Sequence, residues 1–432
     1  MDGGIGPVHI DKVRAGQFLL AAVDGGGTVP PELGLAARLV RRGHQVRVLA
    51  DPTVEPAAAA AGCAFSPWRR APHFNTLEEQ TAMIRDVEQR NPARQFQFAR
   101  DQLICGPAGK YAEDVVSTLQ EHPADAALVE AAMAGALIGA EASGLPTAAL
   151  MPNIYLRPTK GLPQFGTGWS PGRRPWGKAR DALTAAAVKR LFASCMPTLN
   201  AVRAGYQLPP LGDLYELLDH CTRVLVLTSP SFDFPAPALP PNVRYVGPQL
   251  DDPHWAVESD WRPSGDGPIV LVAMSSTYQA QTDPLRRVAA GLGQLPVRGV
   301  LTTGPAVNPA DVPAPPNVRV LRAAPHSEVL REASVVVTHA GHGSVIKALA
   351  AGVPLVCMPL GRDQKDNTVR VLRLGAGVKV SKRETAEGIA AAVRRVLDEP
   401  SHADAARRFA ARLATEAADR PDAVQEAEAL LA

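Results

Sequence analysis

Along this chain, short runs of apolar residues alternate with stretches whose apolar positions recur every three or four residues. Residues 18–23, Phe-Leu-Leu-Ala-Ala-Val, read as a buried strand. A glycine-rich loop over 24–31 follows, then an amphipathic helix over 32–42 stopped by Gly43-His44, then a strand over 45–50. That is a βαβ unit, the opening of a doubly wound domain. The same rhythm returns at 125–150 as a strand ending in Glu130, an Ala-rich helix over 131–143 stopped by Gly144, and a strand over 146–150. Helices over 181–219 and strands over 223–227 and 243–248 complete the first half. A second start comes at 268–277, where an apolar strand runs into Ser275-Ser276-Thr277. A helix over 283–292, strands over 298–302 and 318–321, and a valine strand at 335–337 follow. Helices over 384–397, 402–419 and 422–431 close the chain. The pattern is α/β, with two Rossmann-like doubly wound domains.

Proline density marks the boundary, with six prolines between Pro235 and Pro253. The first domain is expected over 1–248, an interdomain linker over 249–262 and the second domain over 263–415. A terminal helical piece is expected over 416–432. Residues 1–16 read as a loose leader. Residues 151–178 form a long Pro-, Gly- and Arg-rich loop carrying Tyr155, Phe165, Trp169 and Trp176. A loop of that length in a compact domain is functional or disordered, and its aromatics favour an ordered wall or lid. His73, Phe74, Phe96, Phe98 and Tyr111 recur at helix-like spacings and read mostly as core.

Composition narrows the class. The 432 residues suit two to three domains. Hydrophobic content is 46% and charged content 20%, as in a soluble protein with large cores. A net charge of +2 gives no nucleic-acid or membrane footprint. The five cysteines have no metal or redox spacing and are odd in number, so they read as small buried hydrophobes of a reducing cytoplasm. The polar start lacks the apolar core of a signal peptide, and no apolar run reaches spanning length.

The chemistry concentrates between Val335 and Gln364. A valine strand leads into Thr338-His339-Ala340-Gly341-His342-Gly343-Ser344, a helix, Gly352-Val353-Pro354, a second strand, and Leu360-Gly361-Arg362-Asp363-Gln364. Glycines let the backbone turn and expose its N–H groups, and Ser344 is a natural cap for the helix. A helix N-terminus carries about half a positive charge and unpaired donors, so it attracts phosphate. His339 adds a donor and Ser344 a hydroxyl. Asp363 and Gln364 offer a carboxylate and an amide side by side, suited to adjacent sugar hydroxyls. Asp363 is also a common type of helix cap. A diphosphate cradle followed by a hydroxyl clamp describes a nucleotide-sugar site.

This stretch, His-x-Gly-x-Gly-Ser, Gly-Val-Pro and Asp-Gln, resembles the donor signature of two-domain GT-B glycosyltransferases of the UDP-glycosyltransferase-like superfamily. The likeness is nearest to actinobacterial enzymes that decorate natural products. The resemblance implies an acceptor-binding first domain and a nucleotide-sugar-binding second domain facing across a cleft, with the last helix crossing back to the first domain. It assigns donor contacts to Ser276, Ala324, His339, Gly341, Gly343, Ser344, Asp363 and Gln364, with Ala324 reading the base edge through its backbone. It makes the region around His73 the variable acceptor-recognition part, and the aromatics of the long loop, Tyr155, Phe165 and Trp169, are candidates for a lid or acceptor wall. The implied reaction is inverting and metal-independent, with no cofactor. A hexose or deoxyhexose moves from a dTDP- or UDP-sugar to a small hydrophobic acceptor. Expected partners are therefore a nucleotide-sugar, that acceptor and a second copy of the chain as a homodimer, with no nucleic acid and no membrane.

Three positions depart from the family pattern. Ala323 stands where an aromatic often stacks on the base. Lys347 stands where plant-type relatives bind the ribose diol with a glutamate, and a lysine cannot accept those hydrogen bonds. Thr28 stands at the catalytic histidine of His-x-x-Pro, while the partner acid is present as Glu130. A threonine hydroxyl can relay or position but is no base at neutral pH. Three explanations stay open: Glu130 acts as base with a proton affinity raised by burial; Asp24 or His73 substitutes; or the acceptor is an N, S, C or acidic O nucleophile needing little deprotonation. A pseudo-glycosyltransferase that binds or activates, and a GT-B nucleotide-sugar epimerase, are the alternative functions.

Overall fold

The computed structural model describes residues 15–83, 97, 100–236, 238–253, 256 and 260–432. Most of the expected leader (1–14), together with Phe96 and Phe98, lies outside the described residues. Two parallel sheets organise the rest. The first has strands β1 (Gln17–Ala21), β2 (Gln45–Ala50), β3 (Ala64–Pro67), β4 (Ala126–Glu130), β5 (Thr147–Met151), β6 (Arg223–Val226) and β7 (Val243–Tyr245), in the order β3-β2-β1-β4-β5-β6-β7. The second has β8 (Ile269–Ala273), β9 (Arg298–Thr302), β10 (Val318–Leu321), β11 (Ala333–Thr338), β12 (Leu355–Cys357) and β13 (Gly377–Lys379), in the order β10-β9-β8-β11-β12-β13. The apolar runs explain this arrangement. β4, β5 and β8 are buried at every residue, as strands covered by helices on both faces must be.

Each sheet reverses its winding once, between β1 and β4 in the first and between β8 and β11 in the second. Ligands of open α/β sheets bind in the crevice beyond the carboxyl ends of the strands at such a point. The loops after β1, β4, β8 and β11 carry the expected chemistry, so both crevices are built from the singled-out residues.

Several elements differ from the sequence reading. The first helix spans Val29–Arg41, three residues ahead of the expected start. Pro30 and Pro31 lie in its first turn, where a missing N–H costs no helical bond. Helix His342–Ala350 begins at a Gly341 N-cap, so Ser344 is inside the first turn and does not cap it. The sharp turn belongs to Ala340, at φ 68°, and Gly341 has an ordinary φ of −62°.

The chain crosses between the domains at its end. Helix Pro400–Asp419 buries Ala405, Ala406, Phe409 and Leu413 against the second sheet's core. Helix Ala423–Glu428 joins the first domain's core through Ala423, Val424 and Ala427. Arg223 donates to Glu426 at 3.0 Å, and Arg42 and His44 both bond Glu428.

Candidate active site

The donor side starts at the end of β11. His339 is buried behind Gly341, and a Cβ on Gly341 would come within 2.4 Å of its Nε2. Burial, reinforced by the nearby Arg362 charge, pushes the imidazole down to about 4, so the ring is neutral near pH 7. Two tautomers compete. Nδ1–H can donate to the Ala273 carbonyl at 3.5 Å. Alternatively the Thr338 hydroxyl, which accepts from the Ala340 N–H at 3.2 Å, donates to Nδ1 at 3.4 Å. Only the second leaves Nε2–H as a donor toward a diphosphate. Beside it the helix His342–Ala350 presents its first N–H groups, and a Cβ on Gly343 would meet nothing within 4 Å. The glycines therefore supply room and not the turn.

His339, Gly341, Gly343, Ser344, Ser276, Asp363 and Gln364 line one interdomain cleft of about 560 Å³. Ala324 is not among its walls. It is buried in the second domain's core, and the neighbouring His326 faces the cleft instead. Asp363 and Gln364 are not the free pair expected. Asp363 accepts from the amides of Asn153 at 3.0 Å and Asn367 at 2.7 Å, and burial raises its carboxyl above the usual range. Gln364 accepts from the Leu360 and Gly361 N–H groups and donates to Gln279. The cause is that helix Gln364–Leu374 turns a polar face inward, burying Gln364, Asp366, Asn367, Thr368 and Arg370. Lys347 also lines the cleft, but its ammonium is spent on the Asp251 carbonyl at 2.7 Å and the Asp252 carboxylate at 2.8 Å.

Across the cleft stands a cluster of four carboxyl groups. Thr28 is the N-cap residue of the first helix, yet its hydroxyl caps nothing and turns to the Val23 carbonyl at 3.5 Å. The N–H of the same Val23 donates to Glu130 at 3.3 Å. Burial pushes Glu130 up to about 7, with the Val23 N–H acting against it and the charges of Asp51 and Asp24 adding to it. Asp51 accepts from the Asp24 and Phe74 N–H groups, and burial pushes it up to about 6. Asp24 accepts from the Thr53 hydroxyl at 2.7 Å and the Gly26 N–H at 3.1 Å. Glu32 is the fourth, fully buried. Thr28 lines the cleft, Asp24 lines a second cavity of about 630 Å³, and Glu130 lines neither.

That second cavity runs between helices Val29–Arg41 and Glu55–Ala60 and is walled by Val29, Leu33, Ala37, Val54 and Ala57. The two cavities share Gly26, Pro30, Asp251, Pro253, Ser276 and Thr277. Of the expected acceptor wall, Phe165 alone lines the donor cleft, and none of the four lines the second cavity. His73 bonds the Ala71 carbonyl at 2.9 Å, and Tyr155 packs on the first domain's core. Trp169 lies under the Arg180 guanidinium, 4.4 Å from its centroid. Their helix-like or loop spacing carried no information about which cavity they face.

Sequence reasoning missed Arg362, Asn153, Asp51 and Glu32. Arg362 lines the cleft at φ 50°, a strained conformation for a non-glycine residue, and donates to Thr277 at 3.1 Å. Asp51 carries a readable signal, since it follows β2 as Asp24 follows β1. Among the described residues no group of His, Cys, Asp and Glu could hold a metal ion, and no helix is long and apolar enough to cross a membrane.

Comparison with known proteins agrees with this arrangement. Residues 187–422 match the family model described as UDP-glucoronosyl and UDP-glucosyl transferase. The 4'-demethylrebeccamycin synthase of Lentzea aerocolonigenes is 30% identical over 423 residues, 96% of this chain and 98% of that protein. The solved calicheamicin glycosyltransferase shares the fold with a TM-score of 0.73 at 23% identity, covering 97% of this chain and 98% of that one. A glycosyltransferase solved with dTDP shares it with a TM-score of 0.62 at 20% identity, covering 96% and 98%.

Proposed function

Because the chain belongs to the UDP-glucoronosyl and UDP-glucosyl transferase family and is a glycosyltransferase of GT-B fold, we propose that it moves a hexose or deoxyhexose from a dTDP- or UDP-sugar to a small hydrophobic natural-product acceptor. The transfer inverts the sugar's C1 and needs no metal. The observation that carries this reading is the meeting of the two cavities at Gly26, Ser276 and Thr277. One cavity has the phosphate-binding chemistry, and the other has an apolar side formed by Val29, Leu33, Ala37, Val54 and Ala57, with Asp24, Thr53, Asn75, Thr76 and Gln80 completing its wall. A nucleotide-sugar in the first and an aglycone in the second would bring C1 and nucleophile together at that seam.

Each group then has a physical task. The N–H groups at the start of helix His342–Ala350, with His339 Nε2–H and Arg362, stabilise the charge that develops on the leaving diphosphate. Lys347 offers no acceptor to a ribose diol, which favours a 2′-deoxyribose nucleotide such as dTDP over UDP. That the solved relative binds dTDP supports the same choice. Glu130 takes the acceptor's proton. A carboxylate near 7 holds that proton well while half of it stays ionised at neutral pH. Thr28 and Glu130 are bonded to the two ends of Val23, so the hydroxyl on the cleft and the carboxylate beneath it move as one unit.

A second reading has its own observation: Asp24, not Glu130, lines the apolar cavity. Transfer from dTDP-glucose and UDP-glucose to 2-naphthol decides between them. Glu130→Gln is expected to lose about 10²- to 10⁴-fold in kcat, the usual worth of a general base, with dTDP affinity unchanged by calorimetry. Because Glu130 must be ionised, wild-type kcat/KM should fall as pH drops through about 7. A wild-type rate in Glu130→Gln with that loss in Asp24→Asn would transfer the role to Asp24. Binding with no product under any acceptor would favour the binding-protein alternative, and turnover of the nucleotide-sugar alone would favour an epimerase.

A further inference from the structure

Helix Pro175–Ala193 runs for 19 residues and buries one of them, Asp181. Asp181 accepts from the Gly172 N–H at 2.7 Å and from Arg180, which also donates to the Ser170 carbonyl. Those bonds fix the corner where the long loop enters the helix and leave the outer face to solvent. Trp176 is 77% exposed and Leu183 71%, while no other large hydrophobic among the described residues exceeds 42%. Seven positions separate the two, about two turns of helix, so both side chains share one face. Ala179, Ala186 and Ala187 recur on that face and are exposed too. Large apolar residues left together in water on one face mark a contact surface. The charge around this ridge has one sign. Residues 173–193 hold six Lys and Arg against one acid, and that acid is the buried Asp181. Among the described residues no carboxylate pairs with Arg173, Arg174, Lys178 or Arg190. At the start of the helix a groove of about 640 Å³ is lined by Arg173, Arg174, Arg180 and Arg373, with Trp176 on its wall and no carboxylate.

We propose that this face docks on an anionic phospholipid surface: the helix lies in the plane of the headgroups, Trp176 and Leu183 insert between them, and the arginine groove seats a lipid phosphate. A helix that lies on a bilayer needs exposed apolar prongs and flanking cations, not the length to span it. Charge complementarity selects this occupant. Clusters of four to eight Lys and Arg beside an amphipathic helix suit anionic lipid. A second copy paired helix to helix would set cations of one sign against each other. A protein partner would need a concave acidic surface to receive a convex ridge, whereas headgroups flow around one. The expectation of no membrane partner rested on the net charge of +2, which is blind to where the cations sit. A hydrophobic acceptor, as proposed above, would concentrate in the same bilayer, but the docking itself does not depend on that reading.

The test is cosedimentation of the full chain with phosphatidylglycerol vesicles and with phosphatidylcholine vesicles, at low and high salt. The chain should pellet with phosphatidylglycerol, stay in solution with phosphatidylcholine, and be released by salt, which screens the attraction. Each Lys or Arg near an anionic surface is worth about fivefold in partitioning, so Arg173→Gln with Arg174→Gln should weaken binding by about 25-fold. Leu183→Ser should weaken it by about tenfold, the worth of burying that side chain. Tryptophan emission should shift to the blue on binding, and Trp176→Ser should remove most of the shift. All four positions are exposed, so the urea midpoints of the variants should match wild type. No binding to phosphatidylglycerol at low salt overturns the proposal and leaves an acidic protein as the better-fitting occupant. Binding that neither the arginine pair nor Leu183→Ser weakens puts the lipid contact elsewhere and also overturns it. A wild-type dimer that Leu183→Ser dissociates would make the face a contact between copies, with the same consequence. Vesicle binding uses neither donor nor acceptor, so its failure and a failure of the transfer assay are read separately.

Discussion

At Gly341 the missing side chain matters more than backbone freedom. Its φ of −62° suits any residue, but a Cβ there would press within 2.4 Å of His339 Nε2. Gly341→Ala should fold normally and weaken dTDP binding by about tenfold or more, since the imidazole must leave its place and one charge-assisted donor goes with it; calorimetric titration measures it. An unchanged affinity would remove His339 from the diphosphate site. Glu130 gives a second residue-scale expectation, on stability. Its folded value near 7 lies above the ordinary 4.5, so below about pH 4.5 both states are protonated and the site costs nothing. As pH rises through 7 the buried group must ionise, and the folded state alone bears that cost. Glu130→Gln should therefore gain stability over wild type between pH 5 and pH 8, by up to about 3 kcal/mol. Denaturant midpoints at the two pH values test the sign, and equal offsets would show that Glu130 is not ionised against resistance.

At the scale of elements, the glycine loop 25–27 and the loop Ser275–Thr277 close the seam between the cavities. Gly26 has φ 77°, and a Cβ there would lie 2.5 Å from the Thr277 methyl and 2.9 Å from the Ser276 hydroxyl. Gly26→Ala should hold the loops apart and admit water. The expected outcome is a higher ratio of donor hydrolysis to transfer with dTDP affinity kept, read by separating free sugar from glycoside. The strands around this seam were legible because each is an uninterrupted apolar run. The glycine loop was legible as a loop, but the body it touches was not, because that contact joins residues about 250 positions apart. Helix Gln364–Leu374 was signalled only by its capping residue Asp363, and its extent and buried face escaped the sequence reading for another reason. Its buried face is Gln364, Asp366, Asn367, Thr368, Arg370 and Val371, with one apolar residue among the six, so hydrophobic periodicity is silent there. The same inversion hid that Asp363 and Gln364 are engaged. The signature could be read as residue types near a sugar, and not as a network already satisfied by Asn153, Asn367 and Gln279. β3 and β13 went unread because they are edge strands with one buried residue each, so no apolar run marks them.

For the whole molecule, the question is what holds two domains in one geometry when their cleft must stay open to two substrates. Helix Gln364–Leu374 supplies the answer on one side. Arg370 donates to Asp233 at 2.6 Å, and both side chains are almost fully buried. Asp233 also accepts from the Tyr155 N–H and the Tyr245 hydroxyl, and Arg370 lies 4.0 Å from the centroid of Phe234. Next to it, Asp366 accepts from the Gly166 and Gly168 N–H groups, pinning the long loop that carries Phe165. The pair therefore ties the donor helix to the first domain and to the loop beside the cleft at once. Removing one partner of a buried pair costs about 3–5 kcal/mol, because the other charge stays behind without compensation, whereas removing both costs far less. Arg370→Leu should lower the urea midpoint sharply and raise KM for both substrates. Arg370→Leu with Asp233→Leu should recover most of the midpoint but not KM, because the hydrogen bonds to Tyr155 and Tyr245 that orient the loop go with Asp233. If the double variant recovered neither, the pair's contribution would lie in fold stability. If it recovered both, apolar packing alone would suffice to hold the domains, and the cleft geometry would not depend on this charge pair.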